Sequence, residues 1–452
     1  MAHVPTPSAV APEAAAATAV APLPDHPQRL ELNDEVHARP PEALSAPMRV
    51  SFLALFADAA QRRRELELLG DLARRFGVVP PRPDVSHYSG DFGSFRLTWE
   101  RHSEFARYKI AAPGDKPGDD PGDDPFADPA IAAVPADWLA LLPGQVTVAA
   151  HAALLPGSEG RPDLDAIANR LFSGNALVGA AVAGGAAVAL TDFRIRNGWS
   201  RLLVLDRDLT PRQAGRTLQR LLEIDAYRVM ALLALPVART LVPFLTERER
   251  ELTRITEAMV DAGESSEPDL LDALTRLEAE IESREAASLY RFSAASAYYE
   301  LVRRRIEELR EQRIKGLQTF GEFTERRLAP AMNTCRAAAD RQDSLSRRVA
   351  RATQLLSTRV DVTRERQNQV LQESASRRAQ MQLRLQTTVQ GLSVVAITYY
   401  VVMLVDRAAE GLKSAGVVVN VGLATAASIP VVAVVVGLGL HWIIRRAVVV
   451  KP

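Results

Sequence analysis

The pattern of hydrophobic and polar positions changes along this chain, and its two longest apolar stretches close the sequence. They cover residues 392–405 and 417–444, and almost no tail follows them. A helix needs about 20 apolar residues to cross the hydrocarbon core of a bilayer. The second stretch has that length, and the first reaches it by including residues 387–391. The pattern predicts a C-terminal transmembrane hairpin over residues 389–446. A hairpin buried in a soluble helical core is the alternative, and the length of the second stretch argues against it.

Charged residues flank this hairpin unevenly. Basic residues lie beyond both of its outer ends, whereas the connecting segment, residues 406–416, holds two acidic and two basic residues. Lys and Arg are enriched on the cytoplasmic side of membrane proteins. We therefore expect contact with the lipid bilayer, both termini and the tail (residues 447–452) in the cytoplasm, and the short loop outside. The flanking basic residues are Arg377, Arg378, Arg384, Arg445, Arg446 and Lys451.

Six residues inside the apolar stretches are candidates for contacts between membrane helices. Four are small residues in two pairs, each with a spacing of four, which lets helices approach closely in lipid. Ordinary use of small residues in an Ala-rich chain explains them equally well. The other two are neighbouring tyrosines, whose phenols need a hydrogen-bond partner or a place at the membrane interface. The six are Tyr399, Tyr400, Gly422, Ala426, Ala433 and Gly437.

Polar helical patterns replace strand patterns from residue 245 to residue 388. The predicted helices are residues 252–260, 270–317 and 331–388. An apolar stripe at 4-3-4 spacing, typical of a coiled-coil seam, runs along the last helix and turns polar beyond its fourth member. The stripe is Leu345, Val349, Ala352 and Leu356. Because a helix this long and polar needs neighbours, we expect a helical, coiled-coil stalk bundled with other copies in a homo-oligomer.

Residues 30–244 have the pattern of an α+β domain. Strands are predicted over residues 48–56 and 145–154, although the Ala and Leu content of the first also allows a helix. Residues 94–110 are predicted to form a β-hairpin or two adjacent strands. Gly184-Gly185 and Asn197-Gly198 are two-residue turn signals that predict a three-strand antiparallel meander. The fold class is therefore an α+β cytoplasmic domain with an antiparallel sheet plus helices, then a long helical stalk and a transmembrane hairpin.

Two helices of this domain have clear sequence signals. Residues 62–76 place their apolar residues on one face. The members of that face are Leu66, Leu69, Leu72, Ala73 and Phe76. A second helix begins with a capping box of Thr210 and Gln213 around Pro211 and extends to about residue 235, before Pro236.

Composition sets further limits. The 452 residues exceed what one core usually holds, and a formal net charge of zero gives no reason to expect nucleic acid as a partner. The single cysteine, Cys335, cannot form an internal disulfide. Residues 1–29 form an Ala- and Pro-rich lead without the features of a signal peptide, and we expect them to be disordered.

The sequence contains no recognisable catalytic or phosphate-binding motif. His37, His87 and His102 lie near carboxylates, but no two of them have ligand spacing on one element, so we predict no metal site. The glycines near residue 184 lack P-loop spacing. We expect no cofactor and no enzymatic activity.

Four segments resemble an uncharacterised family of bacterial membrane-anchored proteins, domain of unknown function 3422. They are residues 32–40, 182–194, 223–228 and 391–400, of which the last, ending in Tyr-Tyr, is the most specific. The resemblance implies a bacterial inner-membrane protein and supplies no activity. The candidate family motif near the N-terminus, interpreted as a pinned polar turn, is Asn33, Glu35, His37, Arg39 and Pro40.

The order of elements also resembles CorA-type divalent-cation channels. Those channels carry a Gly-Met-Asn motif at the outer end of the first span, where this chain has Met-Leu-Val-Asp-Arg at residues 403–407. Two interpretations follow. The first is a membrane-anchored, non-enzymatic, oligomeric scaffold or adaptor with an unknown protein partner. The second is a CorA-like ion channel or transporter of altered selectivity.

Overall fold

A computed structural model describes most of the chain after the N-terminal lead. The described residues are 26–30, 32–33, 42–83, 85–114, 124–158, 160, 162–261, 263, 265–416 and 418–449. The N-terminal lead up to residue 25 lies outside this part of the chain. So do Glu35, His37, Arg39 and Pro40 of the candidate family motif. Asn33 is described and lies exposed in a short helical segment.

The predicted α+β domain is present and is built on one sheet of eight strands. In chain order the strands are β1 (Met48–Phe56), β2 (His87–Asp91), β3 (Arg96–Arg101), β4 (Phe105–Pro113), β5 (Gln145–Pro156), β6 (Val178–Val182), β7 (Ala187–Thr191) and β8 (Ser200–Asp206). Their order in the sheet is β2-β3-β4-β1-β5-β8-β7-β6. The β3–β4 hairpin and the β6–β7–β8 meander are therefore confirmed.

The prediction of a purely antiparallel sheet is wrong, because the sheet is mixed. Strands β5 and β8 pair in parallel, from Ala150 opposite Ser200 to Pro156 opposite Asp206. A parallel pair needs a long crossover connection. Here the connection consists of a helix and the β6–β7 hairpin, and the sequence pattern gives no direct sign of such pairing between distant strands.

The helices agree with the predictions in position more than in length. They are α1 (Ala59–Arg75), α2 (Ala136–Leu139), α3 (Leu164–Leu171), α4 (Pro211–Leu232), α5 (Ala234–Asp261), α6 (Glu267–Leu309), α7 (Phe320–Arg327), α8 (Ala329–Ser414) and α9 (Val421–Val449). The capping box at α4 is confirmed, since the Thr210 amide donates to Gln213 Oε1 over 3.0 Å. Pro236 does not end a helix, because it lies in the first turn of α5, where a missing N–H costs little.

Two helix predictions need correction. The helix predicted to reach residue 317 ends at Leu309, and Arg310 has a φ of 50°. The chain then runs along the edge of the sheet, where Gln312 and Gln318 form isolated bridges to Ala181 and Val178 of β6. The connecting segment of the predicted hairpin is also shorter than expected, since α8 continues to Ser414. Asn420, which seemed to interrupt the second apolar stretch, instead precedes α9 and accepts from the Leu423 amide over 3.3 Å.

The chain divides into two compact units. The first contains residues up to 251 together with residues 278–347, and the second contains residues 252–277 and 348–452. In the first unit, helices cover both faces of the sheet. One face packs against α1 and α2 through Leu53, Trp99 and Tyr108 and against α3 through Leu203. The other face packs against α4 and α6.

The second unit buries part of the predicted coiled-coil stripe within the same chain. Val349, Leu356 and Val360 are at most 5 % exposed, and Leu252, Ile255, Met259, Leu274 and Leu277 of the same unit are also buried. Arg359 of α8 donates to the carbonyl of Met259 of α5 over 3.1 Å. This part of the stripe therefore needs no second chain to cover it, because the ends of α5 and α6 cover it.

Three helical stretches of the described chain are long and apolar enough to cross a membrane. Two of them, in Phe320–Ser414 and Val421–Gly439, include the predicted spans, and none of the residues in their most apolar windows is buried. The third, in Pro211–Asp261, was not predicted from the sequence. Its most apolar window is 33 % buried.

Candidate functional site: a buried charge cluster between the sheet and two helices

The segment at residues 223–228, one of the four that carry the family resemblance, forms the middle of α4. Its first five residues are all buried. Consecutive buried positions on a helix require cover on more than one side, because successive side chains point in different directions. The sheet lies on one side of α4. On another side α6 supplies Tyr298, whose ring stacks on that of Tyr227 with centroids 5.9 Å apart.

Glu223 is the centre of a buried cluster that we call the Glu223 cluster, formed by Glu100, Arg107, Gln219, Glu223 and Arg305. Arg107 of β4 donates to Glu223 Oε1 over 2.6 Å and also contacts Glu100 of β3. Arg305 of α6 contacts the second carboxylate oxygen of Glu223, and Gln219 donates to the first over 2.9 Å. The Glu223 side chain is 3 % exposed and that of Arg107 is 10 % exposed, so the cluster is shielded from water.

The electrostatics of the cluster favour fixed charges. Burial opposes ionisation of Glu223, but Arg107 and Arg305 outweigh it and lower the pKa of this carboxyl to about 2. Burial, together with the charge of Glu223, raises the pKa of the neighbouring Tyr227 phenol to about 12. A general base works best when its pKa lies near the operating pH. The cluster is therefore suited to joining β3, β4, α4 and α6 and poorly suited to proton transfer at neutral pH.

A small cavity adjoins the cluster. Its volume is about 20 Å³, enough for roughly one water molecule. The lining includes Phe52, Thr98, Lys109 and Leu222 in addition to members of the cluster. A cavity of this size has no room for an organic substrate, and ligand pockets usually measure about 300–1,000 Å³.

A second contact joins two of the resemblance segments at Phe193, which follows β7. Phe193 has a φ of 52°, a conformation that bulky residues seldom adopt. Its ring stacks on Phe323 of α7 with centroids 4.6 Å apart, and the guanidinium of Arg228 lies 4.9 Å from the ring centroid. Asp192 is held by Arg196 and accepts from Asn175 over 3.1 Å. These contacts hold the strained residue in place and connect the sheet to α7.

Asp225 links the same region to β8. Its carboxylate accepts from the Ser200 hydroxyl over 3.1 Å and from Arg228 over 2.5 Å. Residues 191–194 and 223–228 are thus brought together on one face of the sheet by side chains that either pair charges or stack rings. Residues 391–400 belong to the second unit and residues 34–40 lie outside the described chain, so this convergence concerns two of the four segments.

The structure also shows a serine–histidine contact that the sequence did not suggest. Ser51 of β1 and His151 of β5 are opposite each other in the sheet, with Oγ and Nδ1 3.0 Å apart. The Trp199 ring stacks on His151 with centroids 3.9 Å apart. Burial, with a contribution from Arg201, lowers the pKa of His151 to about 4. Ser51 is fully buried and accepts from the Ile131 amide, so it is not placed to attack a substrate.

Glu65 of α1 is another buried carboxyl that the sequence did not single out. It is fully buried against the sheet, and neither of its carboxylate oxygens has a hydrogen-bond partner among the described residues. Burial raises its pKa to about 7, although Arg101 and Arg62 favour the ionised form. This carboxyl is therefore the least well satisfied charged group described in the first unit.

The remaining predicted chemistry is dispersed. Cys335 is buried in α8, where burial raises the pKa of its thiol. It lines a cavity of about 210 Å³ between α6 and α8, together with Phe292, Tyr299 and Met332. His102 stacks on Phe105 rather than joining other ligands. Within the described ranges, no group of three or more His, Cys, Asp or Glu side chains is placed to hold a metal ion.

The candidate membrane-helix contacts lie on two helices that touch each other. The Thr425 hydroxyl of α9 donates to Asp406 of α8 over 2.7 Å. Tyr399 and Tyr400 are 61 % and 68 % exposed. Gly422 and Ala426 are exposed as well, whereas Ala433 and Gly437 are half-buried. A Cβ added at Gly437 would meet no atom within 4 Å, so these small residues do not mark a close approach within one chain.

Comparison with known proteins gives one match. No curated protein and no solved structure matches the chain. Residues 24–447 match the family described as "Protein of unknown function (DUF3422)". This match covers nearly the whole chain, as the resemblance of the separate segments implied, and the chain belongs to that family.

Proposed function

We propose that this protein is a non-enzymatic scaffold or adaptor, anchored in a membrane by a two-span hairpin formed from the end of α8 and from α9. The observation that supports the proposal is that no residue is buried in the most apolar windows of the two stretches. Soluble proteins rarely expose contiguous apolar patches beyond a few hundred Å². Exposed apolar helices of this length are stable in lipid, where every backbone group is satisfied within the helix.

The positions of the charges fit a bilayer. The Asp406–Thr425 hydrogen bond fixes the register of the two antiparallel helices. Each helical residue adds about 1.5 Å along the axis. Arg384 therefore lies about 33 Å from Asp406 along α8, and Arg445 lies about 30 Å from Thr425 along α9. The hydrocarbon core is about 30 Å thick. Both helices thus reach basic residues after one hydrocarbon thickness, which supports two full spans.

The third candidate stretch, in Pro211–Asp261, belongs to the domain outside the membrane in this proposal. Glu223 and Asp225 lie in α4 near the start of this range, and their charges are paired with Arg107, Arg305 and Arg228 of the same unit. Moving these groups into lipid would separate ion pairs and expose charge to hydrocarbon, which is costly. One third of the most apolar window of this range is buried within the chain, whereas no residue is buried in the windows of the other two stretches.

The orientation follows from the basic ends of the hairpin. We place both outer ends, the α+β domain and the helical region on the cytoplasmic side of a bacterial inner membrane, with the turn at residues 415–420 on the other side. The scaffold is a homo-oligomer, because a long exposed segment of α8 lies between the membrane and the covered part of the same helix.

A scaffold role fits the buried chemistry of the α+β domain. The Glu223 cluster pairs its charges internally, and the adjoining cavity holds about one water. Such a cluster specifies how β3, β4, α4 and α6 fit together. The domain would then act through its outer surface, by binding another macromolecule.

Deletion of residues 392–452 tests the anchor. None of the residues in the two apolar windows is buried, so their removal does not uncover the core. The shortened chain should remain in the supernatant after membranes are washed with high salt and pelleted, whereas the full chain should pellet. A shortened chain that still pellets would refute the hairpin as the anchor and would implicate the stretch in Pro211–Asp261.

A second experiment tests the orientation. Reporter fusions joined before residue 2 and after residue 452 should both give a cytoplasmic signal, while a reporter inserted after Gly416 should give a signal from the opposite side. A signal from outside the cytoplasm at either end would refute the proposed topology.

An ion channel or transporter of CorA-like build is the second candidate. The observation that favours it is the continuity of α8, an 86-residue helix that connects the first unit directly to the first apolar stretch. A continuous helix of this kind can transmit a change in the cytoplasmic domain to the membrane. Purified protein in liposomes distinguishes the two candidates: a divalent-cation flux above that of empty liposomes would favour the channel, and no flux would favour the scaffold.

A further inference from the structure

The cavity of about 210 Å³ between α6 and α8, which we call the Cys335 cavity, lies within the first unit. The residues that line it on α8 are Met332, Cys335, Arg336 and Ala339. Positions three and four residues apart share one face of a helix, so these four side chains are directed to the same side. Next to this lining, the Ser288 hydroxyl of α6 donates to the Gln342 side chain of α8 over 3.0 Å and joins the two helices.

The interior of the cavity is apolar, and its space comes from small side chains between large ones. Phe292 and Tyr299 of α6 lie about one turn on either side of Ala295, which is 1 % exposed. An apolar cavity of about 150 Å³ binds benzene, so the Cys335 cavity has room for a chain of about eight carbon atoms. It is smaller than most ligand pockets, and it therefore suits a short chain.

The open side of the cavity is polar and carries a cation. Ser293, Ser296 and Arg336 belong to the lining and are exposed, so they mark the side that faces solvent. Arg336 is the one charged residue among those that line the cavity. Glu300, which follows Tyr299, pairs with Arg303 over 3.5 Å and does not belong to the lining.

Arg336 also differs from other arginines of α8. Arg341 pairs with Glu249, and Arg347 pairs with Asp343. The guanidinium of Arg336 donates to the Asn333 side chain over 3.4 Å and forms no ion pair with the described residues. A cation at the opening of an apolar cavity is complementary to a molecule with an apolar chain and an anionic head.

We propose that the Cys335 cavity binds a free medium-chain carboxylate, with its chain between α6 and α8 and its carboxylate at Arg336. The chain is removed from water and contacts Phe292 and Met332, which favours binding. The carboxylate accepts charge-assisted hydrogen bonds from the guanidinium. Burial raises the pKa of the Cys335 thiol, which therefore forms part of the lining and does not act as a nucleophile. This inference goes beyond the scaffold role and does not depend on the membrane anchor.

Equilibrium dialysis of radiolabelled octanoate against the full-length protein in lipid nanodiscs tests the proposal. Empty nanodiscs of the same lipid measure partition into the bilayer. Octylamine has the same chain length with a cationic head and tests the role of charge. Octanoate should bind to a single saturable site above the level of empty nanodiscs. It should bind at least about fourfold more tightly than octylamine, because Arg336 attracts the first and repels the second.

Two matched pairs of variants locate the site. Ala339→Leu fills part of the cavity, whereas Ala337→Leu adds the same atoms at an exposed position of the same helix. The first should weaken octanoate binding at least about tenfold, because the chain and the added methyl groups compete for one space. Arg336→Gln should weaken it about two- to fivefold and abolish the preference over octylamine. Ala337→Leu and Arg348→Gln, which replaces another exposed arginine of α8, should bind octanoate as the wild type does.

Three results would overturn the proposal. They are octanoate binding no higher than in empty nanodiscs, equal affinities of Ala339→Leu and Ala337→Leu, and equal binding of octanoate and octylamine by the wild type. Arg336 is exposed, so its replacement leaves the core intact. The comparison of Arg336→Gln with Arg348→Gln therefore decides the proposal even if Ala339→Leu does not fold, and equal affinities of these two variants would refute it.

Discussion

The two units of this chain use arginine in opposite ways. In the first unit, Arg107 is 10 % exposed and is held by Glu100 and Glu223, which come from a strand and a helix far apart in sequence. In the part of α8 that belongs to the second unit, Arg364, Arg377 and Arg378 are exposed to solvent. A buried ion pair is costly to break, whereas exposed charges contribute little to stability. Loss of a charge should therefore destabilise the protein far more at Arg107 than at these exposed arginines of α8.

Removal of Arg107 should have the largest effect on the free energy of unfolding. Arg107→Met leaves Glu100 and Glu223 buried with fewer cations, which should lower the free energy of unfolding by about 3–5 kcal/mol. Urea unfolding of the full-length protein in detergent measures this free energy. Tryptophan fluorescence follows the unfolding, because Trp99, Trp138 and Trp199 lie in the first unit.

Arg96→Met is the matched control for this measurement. Arg96 lies on β3 and contacts Asp91, but its side chain is 43 % exposed. Its replacement should change the free energy of unfolding by less than about 1 kcal/mol. Equal losses for the two variants would mean that burial of the Glu223 cluster does not control the stability of this unit.

A pair of neighbouring leucines tests the second unit. Leu356 is fully buried, whereas Leu355 is 54 % exposed on the same helix. Leu356→Ala should destabilise this unit by about 2–4 kcal/mol, because it removes buried methyl groups and leaves a cavity. Leu355→Ala should change stability by less than about 0.5 kcal/mol.

Proteolysis measures the difference between the two leucine variants. Digestion of the helical region should accelerate for Leu356→Ala and stay unchanged for Leu355→Ala. If Leu356→Ala instead changed only the amount of cross-linked oligomer, with no change in the digestion of the monomer, then its burial within one chain would be disproved.

The sequence predicts local structure in this protein well because local signals are strong. The alternation in β3 and β4, the Asn197-Gly198 turn and the Thr210–Gln213 capping box all act over a few residues. The parallel pairing of β5 with β8 was missed, because it joins distant segments and leaves no local pattern. The Arg107–Glu223 and Ser51–His151 contacts were missed for the same reason, since about a hundred residues separate the partners.

Helix α1 shows a subtler limit of sequence patterns. The predicted apolar face included Phe76, which is 38 % exposed, and omitted Leu68, which is 1 % exposed. The face that meets the sheet is shifted toward Leu68 and includes Glu65. A glutamate normally marks the solvent side of a helix, so the burial of Glu65 was not expected from the sequence.

Glu65 provides the smallest of the expected effects and the only one that should increase stability. Its pKa is raised to about 7 by burial, from an ordinary value of 4.5. Between these values the unfolded chain releases a proton that the folded chain retains, so stability falls as the pH rises from 4.5 to 7. Glu65→Gln removes this loss and should stabilise the protein by on the order of 2–3 kcal/mol above pH 7, with little change near pH 4.5.

The pH dependence of urea unfolding checks this expectation against a control two residues away. Glu67 lies on the same helix, is 62 % exposed in its side chain and pairs with Arg64. Glu67→Gln should leave the pH dependence of the wild type unchanged, whereas Glu65→Gln should flatten it between pH 4.5 and 7. Parallel curves for wild type and Glu65→Gln would mean that Arg101 and Arg62 fully compensate the buried carboxylate. Glu65 would then be a well-compensated buried carboxylate, as Glu223 is.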